Sequence, residues 1–303
     1  MKLPRLPIIQ FCILFLFYHC SYGGPIVGFA LPDSMMKVTL KFRTLSNLII
    51  LPVTINDSVK VNLLLDTGCR NLVLFGKKFE KLLSVDKTKE VIFSGLGDGN
   101  AVLGHLSLNN RVTIDAVLGR SVPIVVVPQK NLFGKYKDIH GVIGYDIFQK
   151  FEIEINSRTQ EITFRPAASA NAPEDHLKIP LRVDDSKPVI TSTISLGGKT
   201  VSYDLMIDTG SSIGLLLKTT DVEQFGGFME KSVIGRGLNG DFMGFSKVVH
   251  ILTLENFKLK RVLASIVESP SRNEASIGME ILKDYIVILN YCRAYACLKK
   301  LDT

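Results

Sequence analysis

The tripeptide Asp-Thr-Gly occurs twice, at Asp66-Thr67-Gly68 and at Asp208-Thr209-Gly210, and each copy follows a run of three apolar residues, Leu63-Leu64-Leu65 and Leu205-Met206-Ile207. Other landmarks recur in the same order around both copies. Upstream, Val53-Thr54-Ile55-Asn56-Asp57 matches Ser192-Thr193-Ile194-Ser195-Leu196-Gly197-Gly198, each reading as a strand, a polar or glycine turn, and a second strand that enters the triplet. Downstream, a glycine-rich stretch with Gly95, Gly97 and Gly99 matches one with Gly235, Gly237 and Gly240. Further on, Val142-Ile143-Gly144 matches Ser276-Ile277-Gly278. A long internal repeat of this kind dictates the architecture: two similar units, each carrying one of the acids.

The boundaries follow from composition. Residues 166–176 are mostly small residues and prolines without periodicity, which reads as a connection. The repeat therefore places one lobe at about 37–166, a linker at 167–176 and a second lobe at 177–303. Both lobes read as mainly β. Stretches 151–155 and 161–164 flank a polar turn and predict a hairpin, and residues 123–128 predict a short buried strand between two prolines. Short helices are expected at 145–150 and 279–283. With 46% hydrophobic and 21% charged residues, the chain has enough apolar side chains for a sizeable core.

The first residues read differently. Lys2 and Arg5 precede an apolar run at 8–18, and small residues Ser21, Gly23 and Gly24 follow. This is the pattern of a signal peptide over residues 1–24, with an uncleaved anchor as the alternative. The run is shorter than the roughly 18 apolar residues of a membrane span. The expectation is an exported protein, periplasmic or extracellular, without stable membrane insertion after cleavage. Cys20 suggests a lipid anchor, but His19 before it does not suit one. The formal charge of +7 falls by two when Lys2 and Arg5 are removed, and the remaining basic residues are scattered, so no nucleic-acid partner is expected. No metal or cofactor is expected either. Cys292 and Cys297 are close enough in sequence to bridge after export, which leaves Cys69 free.

The two triplets, the glycine-rich stretches and the apolar-apolar-Gly segments together resemble the aspartic peptidases of the pepsin and retropepsin superfamily, over roughly residues 48–300. The resemblance implies two homologous retropepsin-like β-barrel lobes with pseudo-twofold symmetry in one chain, an intramolecular pseudo-dimer acting on polypeptides. It implies Asp66 and Asp208 as the catalytic pair. Thr67 and Thr209 would tie the two loops across the axis, supported by Gly68, Gly210, Ser211, Gly144 and Gly278, with flaps at 93–104 and 234–245. The chemistry needs two carboxyls because like charges about 3 Å apart cannot both ionise. One member then takes a proton from water while the other protonates the carbonyl oxygen. The first copy departs from the family pattern: Cys69-Arg70 stands where the second copy has Ser211-Ser212. An oxidisable thiol there suggests redox-sensitive activity.

Three other readings compete. Gly210-Ser211-Ser212-Ile213-Gly214 matches a Gly-x-Ser-x-Gly nucleophile elbow, with Asp221 or Asp241 and then His250 in the order of an α/β-hydrolase, though the first copy has no elbow. Gly235, Gly237 and Gly240 match a dinucleotide fingerprint, with Glu255 downstream, but residues 248–254 read as strand where a helix is required. The third is a non-catalytic peptide-binding module on the same fold.

Overall fold

The computed structural model describes residues 27–93, 100–128, 133, 136–196, 199–226, 230–238, 240–269 and 274–302. Residues 1–24, read as a signal peptide, and the flap glycines Gly95, Gly97 and Gly99 lie outside the described residues. Among the described residues, no helix is long and apolar enough to cross a membrane.

The first lobe is built from β1 (Gly28–Ala30), β2 (Val38–Lys41), β3 (Arg43–Leu45), β4 (Leu48–Ile55), β5 (Val59–Leu65), β6 (Leu72–Phe75), α1 (Lys78–Leu82), β7 (Val85–Phe93), β8 (Val102–Ile114), β9 (Val117–Val127), β10 (Gly141–Ile143), α2 (Tyr145–Phe148), β11 (Phe151–Asn156) and β12 (Glu161–Pro166). The second repeats the plan with β13 (Leu177–Pro180), β14 (Arg182–Asp184), β15 (Lys187–Leu196), β16 (Lys199–Asp208), β17 (Leu215–Thr219), β18 (Ser232–Gly237), β19 (Gly240–Leu254), β20 (Phe257–Glu268), β21 (Glu274–Gly278), α3 (Met279–Leu282), β22 (Tyr285–Asn290) and β23 (Tyr295–Lys300).

In the first lobe the order is β1-β9-β6-β10-β5-β4-β8-β7, and β8 also pairs with β9, so the strands from β9 round to β8 form a closed pairing circuit with β1 and β7 outside it. In the second it is β14-β15-β16-β21-β17-β20-β19-β18, closed by β15 with β19. One arrangement matters most for the site. The strand that leads into each Asp, β5 or β16, runs parallel to the short strand before Gly144 or Gly278, β10 or β21. That short strand in turn pairs antiparallel with the strand after the Asp loop, β6 or β17. Each acidic loop is thus pinned from both sides. Buried on both faces, these strands carry continuous apolar runs such as Leu63-Leu64-Leu65.

A third sheet, β13-β23-β22-β11-β12-β2, takes three strands from each lobe and joins them where β11 pairs with β22, Ile153 opposite Leu289 and Asn156 opposite Ile286. Its order is the same read from either end, as a twofold relation between the lobes requires. The side chain of Glu152, 1% exposed, crosses this junction. It accepts from the Tyr295 hydroxyl, from Asn290 Nδ2 at 3.3 Å and from Arg165 at 3.4 Å. Glu152→Ala leaves the buried Tyr295 hydroxyl without an acceptor and takes one partner each from Asn290 and Arg165, which keep the Ala167 carbonyl and Glu154. It is expected to cost about 2 kcal/mol of unfolding free energy, measured by urea denaturation. A change below about 0.5 kcal/mol would show that the cluster contributes nothing net.

Several details depart from the sequence reading. The strand expected at 123–128 begins earlier, at Val117, with Pro123 inside it. The pairing of β8 with β9 slips between Ser107 and Asn110, with Asn109 at φ 59°, so the ladder is broken opposite the residue that has no N–H to give. Phe29 is buried and β1 pairs with residues 118–120 of β9, so the chain before residue 37 is part of the first lobe's sheet. The linker is tied down: Asn290 Nδ2 donates to the Ala167 carbonyl at 3.0 Å and Arg293 to the Ala170 carbonyl at 2.8 Å. No bridge joins Cys292 to Cys297. Both are free, because Cys292 lies exposed in the β22–β23 turn while Cys297 is buried against Ile288 and Tyr295.

Candidate active site

The two Asp-Thr-Gly loops meet back to back. Thr67 and Thr209 are both 0% exposed. Thr67 Oγ1 donates to the Ile207 carbonyl at 2.7 Å and accepts from the Thr209 N–H at 3.0 Å. Thr209 Oγ1 donates to the Leu65 carbonyl at 2.9 Å and accepts from the Thr67 N–H at 3.1 Å. Each hydroxyl uses its one proton and a lone pair on the opposite lobe, satisfying four buried backbone groups with two side chains.

This grip brings the acids to one place. The Gly68 N–H donates to Asp66 Oδ1 at 2.7 Å, and the Gly210 N–H to Asp208 Oδ1 at 3.0 Å. The Asp66 carboxyl lies so close to Gly210 that a Cβ there would sit 2.3 Å from its Cγ. The glycine is needed for approach rather than for an unusual φ. The relation is not strictly symmetric: a Cβ on Gly68 would meet Met206 Cε at 2.9 Å. Burial pushes both carboxyls above the ordinary carboxylate range. The charge of Asp66 pushes Asp208 further up, while Lys187 and the glycine N–H groups pull against the rise in both.

Gly144 and Gly278 occupy equivalent crossings. A Cβ on Gly144 would lie 2.2 Å from the carbonyl oxygens of Asp66 and Cys69, and one on Gly278 would lie 2.2 Å from that of Ile213. The chain passes directly behind each loop, where a side chain does not fit. Ser211 Oγ accepts from the Ile213 N–H at 3.2 Å. In the first loop the Cys69 thiol donates to the Asn71 carbonyl at 3.0 Å. Burial and the nearby Asp66 push this thiol well above its usual range. That opposes the thiolate an oxidant-sensing cysteine needs, so the suggested redox sensitivity loses its chemical basis.

Both acids line one cleft of ≈ 990 Å³, near the top of the roughly 300–1,000 Å³ range of ligand sites. The second glycine-rich stretch is a hairpin of β18 and β19, in which Gly237 pairs with Gly240, at φ 116°. Arg236 binds Asp241 across it at 2.6 Å. Phe242 is buried against Gly235, where a Cβ would come within 3.0 Å of its ring, and both line the cleft. The equivalent first hairpin is β7 with β8.

Two of the other readings, the nucleophile elbow and the dinucleotide fingerprint, fail on local structure. Ser212 is exposed and its loop continues into strand β17, whereas a nucleophile elbow leads into a helix. Gly235, Gly237 and Gly240 lie in a hairpin with no helix after them to hold a pyrophosphate.

Two pinned acidic loops, duplicated in one mainly β chain and joined by a shared sheet, define a two-lobed acid-hydrolase scaffold. The chain belongs to the aspartyl protease family, whose sequence model matches it twice, at residues 51–147 and 192–281. A search of the curated proteins gives no match. Each matched segment contains one Asp-Thr-Gly and one crossing glycine, in Val142-Ile143-Gly144 or Ser276-Ile277-Gly278.

Residues that local motifs do not reveal also face the cleft, among them Leu48, Phe133, Tyr136, Lys187, Lys218 and Glu274. The signal that finds them is strand register: Ile50 pairs with Leu64, two residues before Asp66, and Val189 with Met206, two before Asp208.

Proposed function

We propose that the protein is an aspartic endopeptidase in which Asp66 and Asp208 activate a water molecule for attack on a peptide bond. Asp208, opposed both by burial and by its neighbour's charge, holds the proton; Asp66 is the ionised base. Asp66 takes a proton from water as its oxygen attacks the carbonyl carbon, and Asp208 gives its proton to the carbonyl oxygen. When the tetrahedral intermediate collapses, one of its hydroxyls returns a proton to Asp208 as the carbonyl re-forms, the C–N bond breaks, and Asp66 gives the proton it took from water to the leaving nitrogen. No covalent enzyme intermediate forms. The β18–β19 hairpin closes over the substrate and excludes bulk water.

The observation that supports this reading most directly is the reciprocal threonine grip, which sets two buried, proton-retaining carboxyls into one cleft. A diverse peptide library, incubated across pH with and without a statine-type inhibitor and read by mass spectrometry, tests it. Cleavage is expected to be inhibitor-sensitive, with the alkaline limb of the pH profile near 7, where Asp208, pushed up to about 7, loses the shared proton. Binding without cleavage would identify a peptide-binding module instead. Inhibitor-insensitive cleavage would point to other residues.

A further inference from the structure

The two halves of the cleft share a backbone but not a side-chain chemistry. Counting from the register positions opposite Leu64 and Met206, two residues toward the hairpin turn lead to Leu48 in the first lobe and Lys187 in the second. The turns themselves are equivalent: Leu48 pairs with Leu45 across Ser46 and Asn47, and Lys187 with Asp184 across Asp185 and Ser186, all four turn residues at positive φ. The same holds on the strands beyond the acids. Val142 pairs with Val73, and Ser276 with Leu216, each two residues before the crossing glycine. Two residues further along β6 and β17 stand Phe75 and Lys218.

The first wall is therefore apolar at these positions: Leu48 and Phe133 line the cleft, and Phe75, buried behind, packs edge-on against Phe133 with ring centres 5.9 Å apart. The second carries Lys187, Lys218 and Glu274. Lys218 binds Glu274 at 3.0 Å. Lys187 is half-buried and, among the described residues, forms no ion pair with a side chain. Its charge is met only at a distance, by Asp66 and Asp208, and a partly desolvated ammonium without a direct ion-pair partner gains from a ligand that supplies one.

Resting on the hydrolytic reading above, we propose that the second-lobe wall selects an acidic side chain of the substrate, held by Lys187 with Lys218 beside it, while the first-lobe wall selects an apolar one. The preferred peptide then carries Asp or Glu on one side of the cleaved bond and an aliphatic or aromatic residue on the other. Lys187 is a specificity residue in this scheme and takes no part in the bond-breaking steps.

The test uses the peptide library with wild type and with Lys187→Leu, which installs the first-lobe residue at the equivalent place. Matched peptides differing only in Glu or Leu at the selected position then give kcat/KM. Wild type is expected to favour Glu by about tenfold, the scale of one charge-assisted hydrogen bond, and Lys187→Leu to lose or reverse that preference. Apolar preference on both sides in wild type would overturn the proposal. So would an equal change for both peptides in the variant, accompanied by a shifted pH profile, since Lys187 would then serve only as counter-ion to the acids. A complete absence of cleavage would instead sink the hydrolytic reading. Selection is read independently by the affinity of uncleavable reduced-bond peptides bearing Glu or Leu on either side of the bond: a tenfold Glu preference upholds it, and equal affinities overturn it.

Discussion

Asp208→Asn is expected to remove peptide hydrolysis, by at least about 10³-fold in kcat, and at the same time to make the protein more stable at pH 8. The loss of activity follows from the division of labour: an amide has no acidic proton to give the carbonyl oxygen. The gain in stability follows from linkage. Burial raises the pKa of both acids in the folded chain. Between the ordinary carboxylate range and about pH 7, the folded chain therefore holds more protons than the unfolded chain, and stability falls as pH rises through this window. Below it, both states are protonated and nothing is lost. Asparagine keeps the oxygen that accepts from the Gly210 N–H but never has to ionise. The difference between variant and wild type should grow from well under 1 kcal/mol at pH 4 to about 4 kcal/mol at pH 8, because Asp208 is pushed up to about 7 and each tenfold change in proton affinity is worth roughly 1.4 kcal/mol. Thermal unfolding across pH, beside turnover, measures both. Retained turnover, or a stability gain independent of pH, would contradict the assignment.

Thr67→Val carries the second large effect. The substitution keeps shape but leaves the Thr209 N–H and the Ile207 carbonyl without partners in a fully buried junction. Two stranded backbone groups at about 1–3 kcal/mol each predict a loss of about 3 kcal/mol in urea denaturation. Turnover should also fall, because the acids are held relative to one another through this junction. Thr67→Ser retains the hydroxyl and should recover most of both. If valine and serine behave alike, methyl packing rather than hydrogen bonding holds the loops together.

Much of this architecture is legible in the sequence because repetition carries it. Asp66 and Asp208, the crossing glycines and the β18–β19 hairpin are found by local motifs that each copy repeats. The short helices α2 and α3 follow the crossing glycines as expected. What local patterns do not carry is pairing between distant strands. The junction of β11 with β22 joins segments from different lobes, and Glu152, an acid in an alternating strand, reads as a solvent-facing residue until Tyr295 and Asn290 are placed around it. The helix α1, with five residues and only Phe79 buried, has too short a period to stand out. The cysteine pair misleads because spacing says nothing of which face of β23 a residue takes; Cys297 faces the core.

The tether at residues 167–176 and the shared six-stranded sheet have a kinetic consequence. A protease assembled from two separate identical halves falls apart on dilution, and its specific activity declines with it. Here the second half is always present at the effective concentration set by a short, anchored connection. Turnover per molecule should stay constant however few molecules are present. The duplicated halves are also free to drift apart in sequence, so that each can acquire its own taste without spoiling the other.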